Sequence, residues 1–544
     1  MTPQHARPAV LGLGVAGLVA VTALTGCSAP GAGGESAGET ERRLVLADAY
    51  EPEALNPVAG HGETGYSKVY DGLVRLQGGT DLPELEPALA AELPAVDAAG
   101  TTWTVPLRTG VEFSDGSSFG PEDVVATYEA VLDPASASPI ATNYAMVDEV
   151  TAVDEQTVQF RLAYPYAAFP SKLLLGIAPA EALAVPGPAE ESALNTAPIG
   201  TGPYLLTERR GDRTVYTANP QYWDGAPEVE ELVVVYVPDD NTRAQRMASG
   251  EFDGTTLPPL LADTLADTDG LTVVGHPSAD TRSVSLPAGD PVTGDPAVRL
   301  ALNHAVDRDA MVESILGGHG VPAYTPVPEV LGDAHAADAT FTHDPDLARQ
   351  LLDEAGWVPG EDGVRVRDGV RAEFTLMYFP EETLRRDLAQ AFASDALAVG
   401  VEVDLEAVDR PQFRPRIPVD AGLLGGGDVP YDPDTQLYAA LHSVYTQDGV
   451  GGPFDNPSDH ANPVVDAALD EGRRSTDPAV RTAAYQQVQR EFVAAPPAVM
   501  LVFLEHVYLM RDGDWTGTEP VLEPHSHGVS WGPWWNLREW RRAG

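Results

Sequence analysis

The stretch "TTWTVPLRTGVEFSDGSSFGPEDVVATYEAVLD", residues 101–133, changes its period halfway along. Residues 101–113 alternate apolar and polar side chains, the period of two that a half-buried strand pair requires. After the turn-forming "SDGSSFG", Pro121 opens a helix, with Glu122 and Asp123 in its first turn where acids complement the helix dipole. The same two periods recur outward. "DEQTVQFRLA" (154–163), "RTVYTANPQYW" (213–223) and "VEELVVVYVPD" (229–239) read as strands. "DPAVRLALNHAVDRDAMVESIL" (295–316) has helical apolar spacing and closes on Gly317 and Gly318, and "HDPDLARQLLDEAGW" (343–357) carries Asp344 as cap and Gly356 as stop. No repeat of 20 to 50 residues is evident. The pattern implies a mixed α/β protein, and 544 residues are too many for one core, so at least two lobes are expected.

Composition narrows the partners. Against 33 basic residues stand 82 acidic ones, a formal charge of −49 that repels phosphate backbones and anionic headgroups, so nucleic-acid binding is not expected. Nearly all the positive charge is arginine; the only lysines are Lys68 and Lys172, few candidates for lysine-dependent covalent chemistry. Cys27 is the single cysteine, which excludes an intramolecular disulfide and any multi-cysteine metal site.

Cys27 has a distinctive setting. "MTPQHARP" (1–8) is positive, "AVLGLGVAGLVAVTAL" (9–24) is apolar but short and rich in Gly and Ala, and "LTGC" (24–27) ends the run. This reads as a secretory signal over 1–26 rather than a membrane span. The GxGxxG match inside it, Gly12–Gly17, lacks the strand and acidic residue of a dinucleotide site. "LTGC" resembles the lipobox of bacterial lipoproteins, which implies that Cys27 is lipidated and becomes the mature N-terminus. Residues 27–43 then read as a flexible tether.

Further blocks carry a second resemblance. "ALNP" (54–57), "VYDGLV" (69–74), "APIGTGPYLL" (197–206), "NPQYWDGAPEVEELVV" (219–234), "VRLALNHAVDRDAMV" (298–312) and "DPDLARQLLDEAGW" (344–357) stand in the order seen in family 5 extracellular solute-binding proteins, the peptide, opine and nickel-complex receptors of ABC importers. The likeness runs from about residue 44 to the C-terminus. It implies a two-lobed, periplasmic-binding-protein-like α/β fold of the large type II class with an inserted subdomain and a ligand cleft between lobes. Lobe I would comprise 44–275 plus 495–544 and lobe II 276–494, with "LTVVGH" (271–276) and "AVMLVFLEHVYLM" (498–510) as crossings. It further implies a monomeric receptor without cofactor, held to the outer face of a bacterial membrane by its lipid alone, or in the periplasm where the envelope has one. Its partners would be a ligand, expected to be an oligopeptide, and a permease with its ATPase.

The chain has no HExxH or GxxxxGK, and a secreted hydrolase is the reading its motifs support least. Binding candidates cluster in three places. In "LLGGGDVPYDPDTQLYAALHS" (423–443), three glycines allow close backbone approach, Asp428 and Tyr431 project from a proline-stiffened turn, Asp432 reads as a helix cap, and His442 follows. In peptide-binding relatives an aspartate here pairs with the ligand's α-amino group, and the likeness carries that role to Asp428; glycines replace the tryptophan the family often has before it. "GHGETGY" (60–66) offers His61, Glu63 and Tyr66, and "TNYAMV" (142–147) offers Tyr144. In "EPHSHGVSWGPWW" (523–535), His525 and His527 share one face of an extended segment and could assist a metal, while Trp531 borders the cleft or joins Trp534 and Trp535 in a packed lid. "VPYDP" (429–433) also resembles the nickel-complex branch, but the arginines of that branch have no match in 131–143 or 173–183. No complete metal site is read from the sequence.

Overall fold

The computed structural model describes residues 42–542 apart from Glu53, 80–81, Asp428, Pro430, 446–451, Pro453, Asp514, Thr518 and 526–527. The signal-like segment, Cys27, Asp428 and His527 therefore lie outside the described residues.

An eleven-stranded mixed sheet organises the described chain. In chain order its strands are β1 (Arg43–Asp48), β2 (Tyr204–Arg210), β3 (Arg213–Ala218), β4 (Glu231–Tyr236), β5 (Gly254–Thr256), β6 (Leu271–Ser285), β7 (Gly320–Pro322), β8 (Glu373–Tyr378), β9 (Glu402–Ala407), β10 (Ala421–Gly426) and β11 (Ala498–Arg511). Their spatial order is β9-β8-β10-β6-β11-β5-β1-β4-β3-β2, with β7 also on β11. β1 runs parallel to β4 and β5, and β8 parallel to β9 and β10. The middle is an antiparallel ladder of the two longest strands, β6 and β11, whose register shifts between Pro277 and Thr281 and again between Arg282 and Ser283. Such irregularities re-aim side chains.

The opening stretch gives a strand at Thr102–Pro106, paired in a separate four-stranded sheet, and then α1 (Pro121–Leu132). Only the first half of the expected strand pair is a strand; Glu112 makes a single bridge to Ser118. α1 begins as its sequence requires, with Asp123 reaching back to the Gly120 N–H at 2.8 Å. The helix expected over 295–316 is two helices, Pro296–Ala305 and Arg308–Ser314. Val306 is extended, and Asp307 caps the second helix by accepting from the Ala310 N–H at 3.0 Å, an arrangement that competes with continuing the first. Asp344 and Gly356 cap and stop Pro345–Glu354 as expected, Gly356 at φ +84°.

The apolar side chains separate into two sets of cores. Three clusters draw on residues 44–273 and 507–540, and three draw on residues 284–504. β6 and β11 serve both. Val499, Leu501, Val502 and Leu504 pack in the second set and Val507 and Leu509 in the first, so along β11 the exchange falls between Leu504 and Val507, later than the boundary at 495 expected above.

Candidate ligand cleft

Where the two long strands pass between the core sets, they carry charge instead of apolar side chains. The irregular stretch of β6 presents Asp280 and Arg282, and β11 presents His506. Val521–His525 runs alongside: Ala279 N–H donates to Glu523 O at 2.9 Å, and Glu523 N–H to Pro277 O at 3.0 Å. These pairings assemble a buried network. Asp280 is paired with Arg282 and accepts from His525 Nδ1 at 2.6 Å and His506 Nε2 at 3.0 Å. His506 Nδ1 donates onward to Glu523 at 2.7 Å, and Glu523 also accepts from the Tyr508 hydroxyl at 2.6 Å and the Gly532 N–H at 2.9 Å. His276 Nδ1 lies 2.8 Å from Glu523 without the alignment of a hydrogen bond. Burial alone would raise the pKa of Asp280, but Arg282 and His525 hold it well below the usual carboxylate range. Burial likewise opposes charge on His506, yet the flanking Asp280 and Glu523 carboxylates raise it to about 9.

A cavity of about 130 Å³ opens beside this network. Tyr50 and Arg243 line it from the first core set, Glu381–Leu384 from the second, and Asp280, Arg282 and His506 from the crossing strands. Polar contacts span the gap: Thr383 donates to Asp240 at 2.8 Å, and the Arg410 guanidinium lies 5.4 Å from the Tyr50 ring. A second cavity, about 170 Å³, lies beside Gly425–Gly427. The glycines make the close approach expected of them, but towards the crossing strands. A Cβ on Gly425 would sit 2.1 Å from His525 Cε1, and one on Gly427, at φ +100°, would sit 2.2 Å from Ala279 O.

The first-lobe candidates are mostly buried. His61 is turned inwards, its ring 5.4 Å from Tyr66 and 6.4 Å from Tyr70, and burial pushes its pKa down to about 4. A loop histidine was expected to be reachable from the cleft or solvated; here the glycine-rich turn folds it against aromatic rings and keeps it neutral. Glu63 accepts from Asn143 Nδ2 at 3.0 Å. Tyr144 is fully buried, edge-on to Tyr128 at 5.7 Å, and its hydroxyl, near Glu63, is not aligned for a hydrogen bond. Trp531, 1% exposed, packs 6.0 Å from Tyr66 within the same core.

On the facing side, Tyr431 packs against that same core with a buried, unbonded hydroxyl. Asp432 caps the helix Pro433–Leu441, accepting from the Asp434 N–H at 2.8 Å, and pairs with Arg481. Asp434 is completely buried and paired with Arg473 at 2.9 Å. The Tyr166 hydroxyl reaches it from the opposite core set at 2.8 Å. His442 stacks on Tyr438 at 4.5 Å, accepts from the Val444 N–H at 3.0 Å, and has Asp466 and Asp470 each at 3.8 Å. It belongs to the helix packing of the second core set, and burial lowers its pKa.

Of the candidates, the fold brings Glu63, Tyr144, Tyr431 and Trp531 around one core, sets His61 against Tyr66 at its edge, and places His442 in the helix packing of the second core set. His525 belongs to the ionic network; among the described residues no group of three or more His, Cys, Asp or Glu is placed to hold a metal ion. Sequence reasoning missed Tyr166, Asp434, Arg473, and the network of Asp280, His506 and Glu523, which no local spacing marks.

Three comparisons bear on this arrangement. Residues 84–448 match the model of the bacterial extracellular solute-binding proteins, family 5 Middle. Protein XP55 of Streptomyces lividans is 43% identical over 508 residues, covering 93% of this chain and 92% of that protein. Di/tripeptide-binding protein 2 of Pseudomonas aeruginosa is 28% identical over 445 residues, covering 76% and 81%. Among solved structures, that of NikZ from Campylobacter jejuni in complex with Ni(L-His) superposes with a TM-score of 0.83 at 24% identity, covering 92% of this chain and all of that one.

Proposed function

Because the chain belongs to the family 5 bacterial extracellular solute-binding proteins, the receptors of ABC importers, we propose that it captures oligopeptides between its lobes and delivers them to a membrane permease. Residues 44–275 and the C-terminal segment form lobe I, and 276–494 with the first half of β11 form lobe II. The observation that carries this reading is the set of bonds spanning the gap, Tyr166 to Asp434 and Thr383 to Asp240. These contacts hold two walls together around a cleft, as a receptor that closes over its solute requires. A relative that binds di- and tripeptides, and the family aspartate at Asp428, support peptide as the solute. The alternative is a metal complex, favoured by the likeness to a nickel-histidine receptor and by "VPYDP". Against it, His525 and His442 are engaged by neighbouring protein groups.

Mass spectrometry of small molecules released on unfolding the purified protein separates the two. A heterogeneous set of short peptides supports the first reading, and stoichiometric metal overturns it. Asp428→Ala should weaken peptide binding at least tenfold, and unchanged affinity would remove the amine-anchor assignment. Lipidation of Cys27 after removal of 1–26 keeps the receptor beside its transporter; Cys27→Ser protein should appear in the culture medium with its binding intact. No described helix is long and apolar enough to cross a membrane.

A further inference from the structure

The two lysines are both buried, yet only one is provided for. Lys68, 9% exposed, donates from Nζ to the carbonyls of Ser530, Trp534 and Trp535 at 3.2, 2.8 and 2.9 Å, which satisfies all three ammonium protons. Lys172 is 4% exposed and its backbone is held, the Tyr128 hydroxyl donating to its carbonyl at 3.0 Å. Among the described residues its ammonium has no hydrogen-bond or ion-pair partner; it lies 5.7 Å from the centre of the Tyr144 ring, whose buried hydroxyl has no hydrogen bond.

The acids whose charge reaches Lys172 are Glu63, Asp434 and Asp432. Each already serves another donor: Asn143 for Glu63, Arg473 and Tyr166 for Asp434, Arg481 for Asp432. Of these, Asp434 is the one that Tyr166 reaches from the opposite core set. A buried ammonium without acceptors is unfavourable, and a chain that uses arginine almost everywhere else has kept a lysine here.

We propose that Lys172 is the anion anchor of the cleft: its ammonium pairs with a carboxylate of the bound ligand, and the Tyr144 hydroxyl is the second donor. This rests on the oligopeptide reading, for which the carboxylate is the C-terminus or an acidic side chain. Charge pairing at a desolvated site makes such a contact selective as well as attractive.

The probes are tripeptides of alanine, leucine and phenylalanine with free C-termini, the same set amidated, and an amidated set containing one glutamate. The wild-type protein should retain the free acids at least tenfold better than the plain amides, and Lys172→Met should abolish that difference. Retention of the glutamate amides would identify a side-chain carboxylate as the partner. Equal binding of acids and all amides, or undiminished binding of acids by Lys172→Met, overturns the proposal while leaving the peptide reading intact. Binding of none of the three sets overturns the peptide reading and this inference together. Two readouts separate anchoring from a structural role. Ligand-free Lys172→Met should melt no lower than wild type, because an unsatisfied charge has been removed; a lower melting temperature counts against the proposal. In wild-type protein labelled with ¹⁵N-lysine, free-acid peptide should shift one of two side-chain ammonium signals, and no shift would overturn it.

Discussion

Asp280 shows how one residue can organise the crossing between core sets. Arg282, His506 and His525 converge on its carboxylate, so Asp280→Asn leaves buried positive charge without compensation. Breaking a buried ion network from one side costs about 3–5 kcal/mol, and urea unfolding should show a loss of that size. The same network sets a pH window. His506 is raised from 6.5 to about 9 in the folded protein, so its contribution is complete below pH 6.5 and disappears as pH rises through 9. The shift corresponds to at most about 3 kcal/mol. Asp280 and Glu523 are shifted down, so their contribution is present above the ordinary carboxylate range and lost as acid titrates them in the fold. The network's own contribution should therefore be flat between about pH 5 and 6.5 and fall towards pH 10, so the stability difference between wild type and His506→Gln should shrink as pH rises through 9. None of this was legible beforehand, because the participants at 280, 282, 506, 523 and 525 meet only through the pairing of β6, β11 and the segment after them. The two-residue spacing of His525 and His527, which suggests assistance to a metal but no complete site, carries no information about Asp280.

Elements whose signals are local were read well. Capping acids, proline at the first helical position and glycine stops placed Pro121–Leu132 and Pro345–Glu354, since those signals act within a turn of the residues that carry them. Where two local signals competed the reading failed: apolar spacing through 295–316 favoured one helix, and the Asp307 cap divides it. The glycine run before Asp428 was legible in kind but not in direction. Its backbone approaches the crossing strands, where Gly427 lies against Ala279 O at a φ that β-carbon-bearing residues avoid. Gly427→Ala should cost at least about 2 kcal/mol, strain and displacement of β6 acting together. Chemical denaturation measures it, and an unchanged midpoint would show that the loop accommodates a methyl group. Gly211→Ala is the control, since nothing lies within 4 Å of its added carbon.

At the scale of the whole molecule, two lobes followed from chain length and from ordered family blocks, but the bonds that close them could not. Tyr166 looks like any core tyrosine in "AYPYAAF" (163–169), and Asp434 like one more acid in the first turn of a helix; only the fold joins them across 268 positions of sequence. If the proposed lobes open and close, this bond exists in the closed state alone, so it biases that equilibrium without touching the solute. Tyr166→Phe keeps the ring and removes one hydrogen bond, worth about 1 kcal/mol net. A population shift of that size should weaken solute binding about fivefold, chiefly through faster release, and should enlarge the ligand-free radius of gyration measured by X-ray scattering. Asp434→Asn should act in the same direction and also lower stability, because it leaves Arg473 buried beside a neutral amide. Unchanged affinity and radius in Tyr166→Phe would mean that the contact is a passive consequence of closure, and that the ligand supplies the closing free energy by itself.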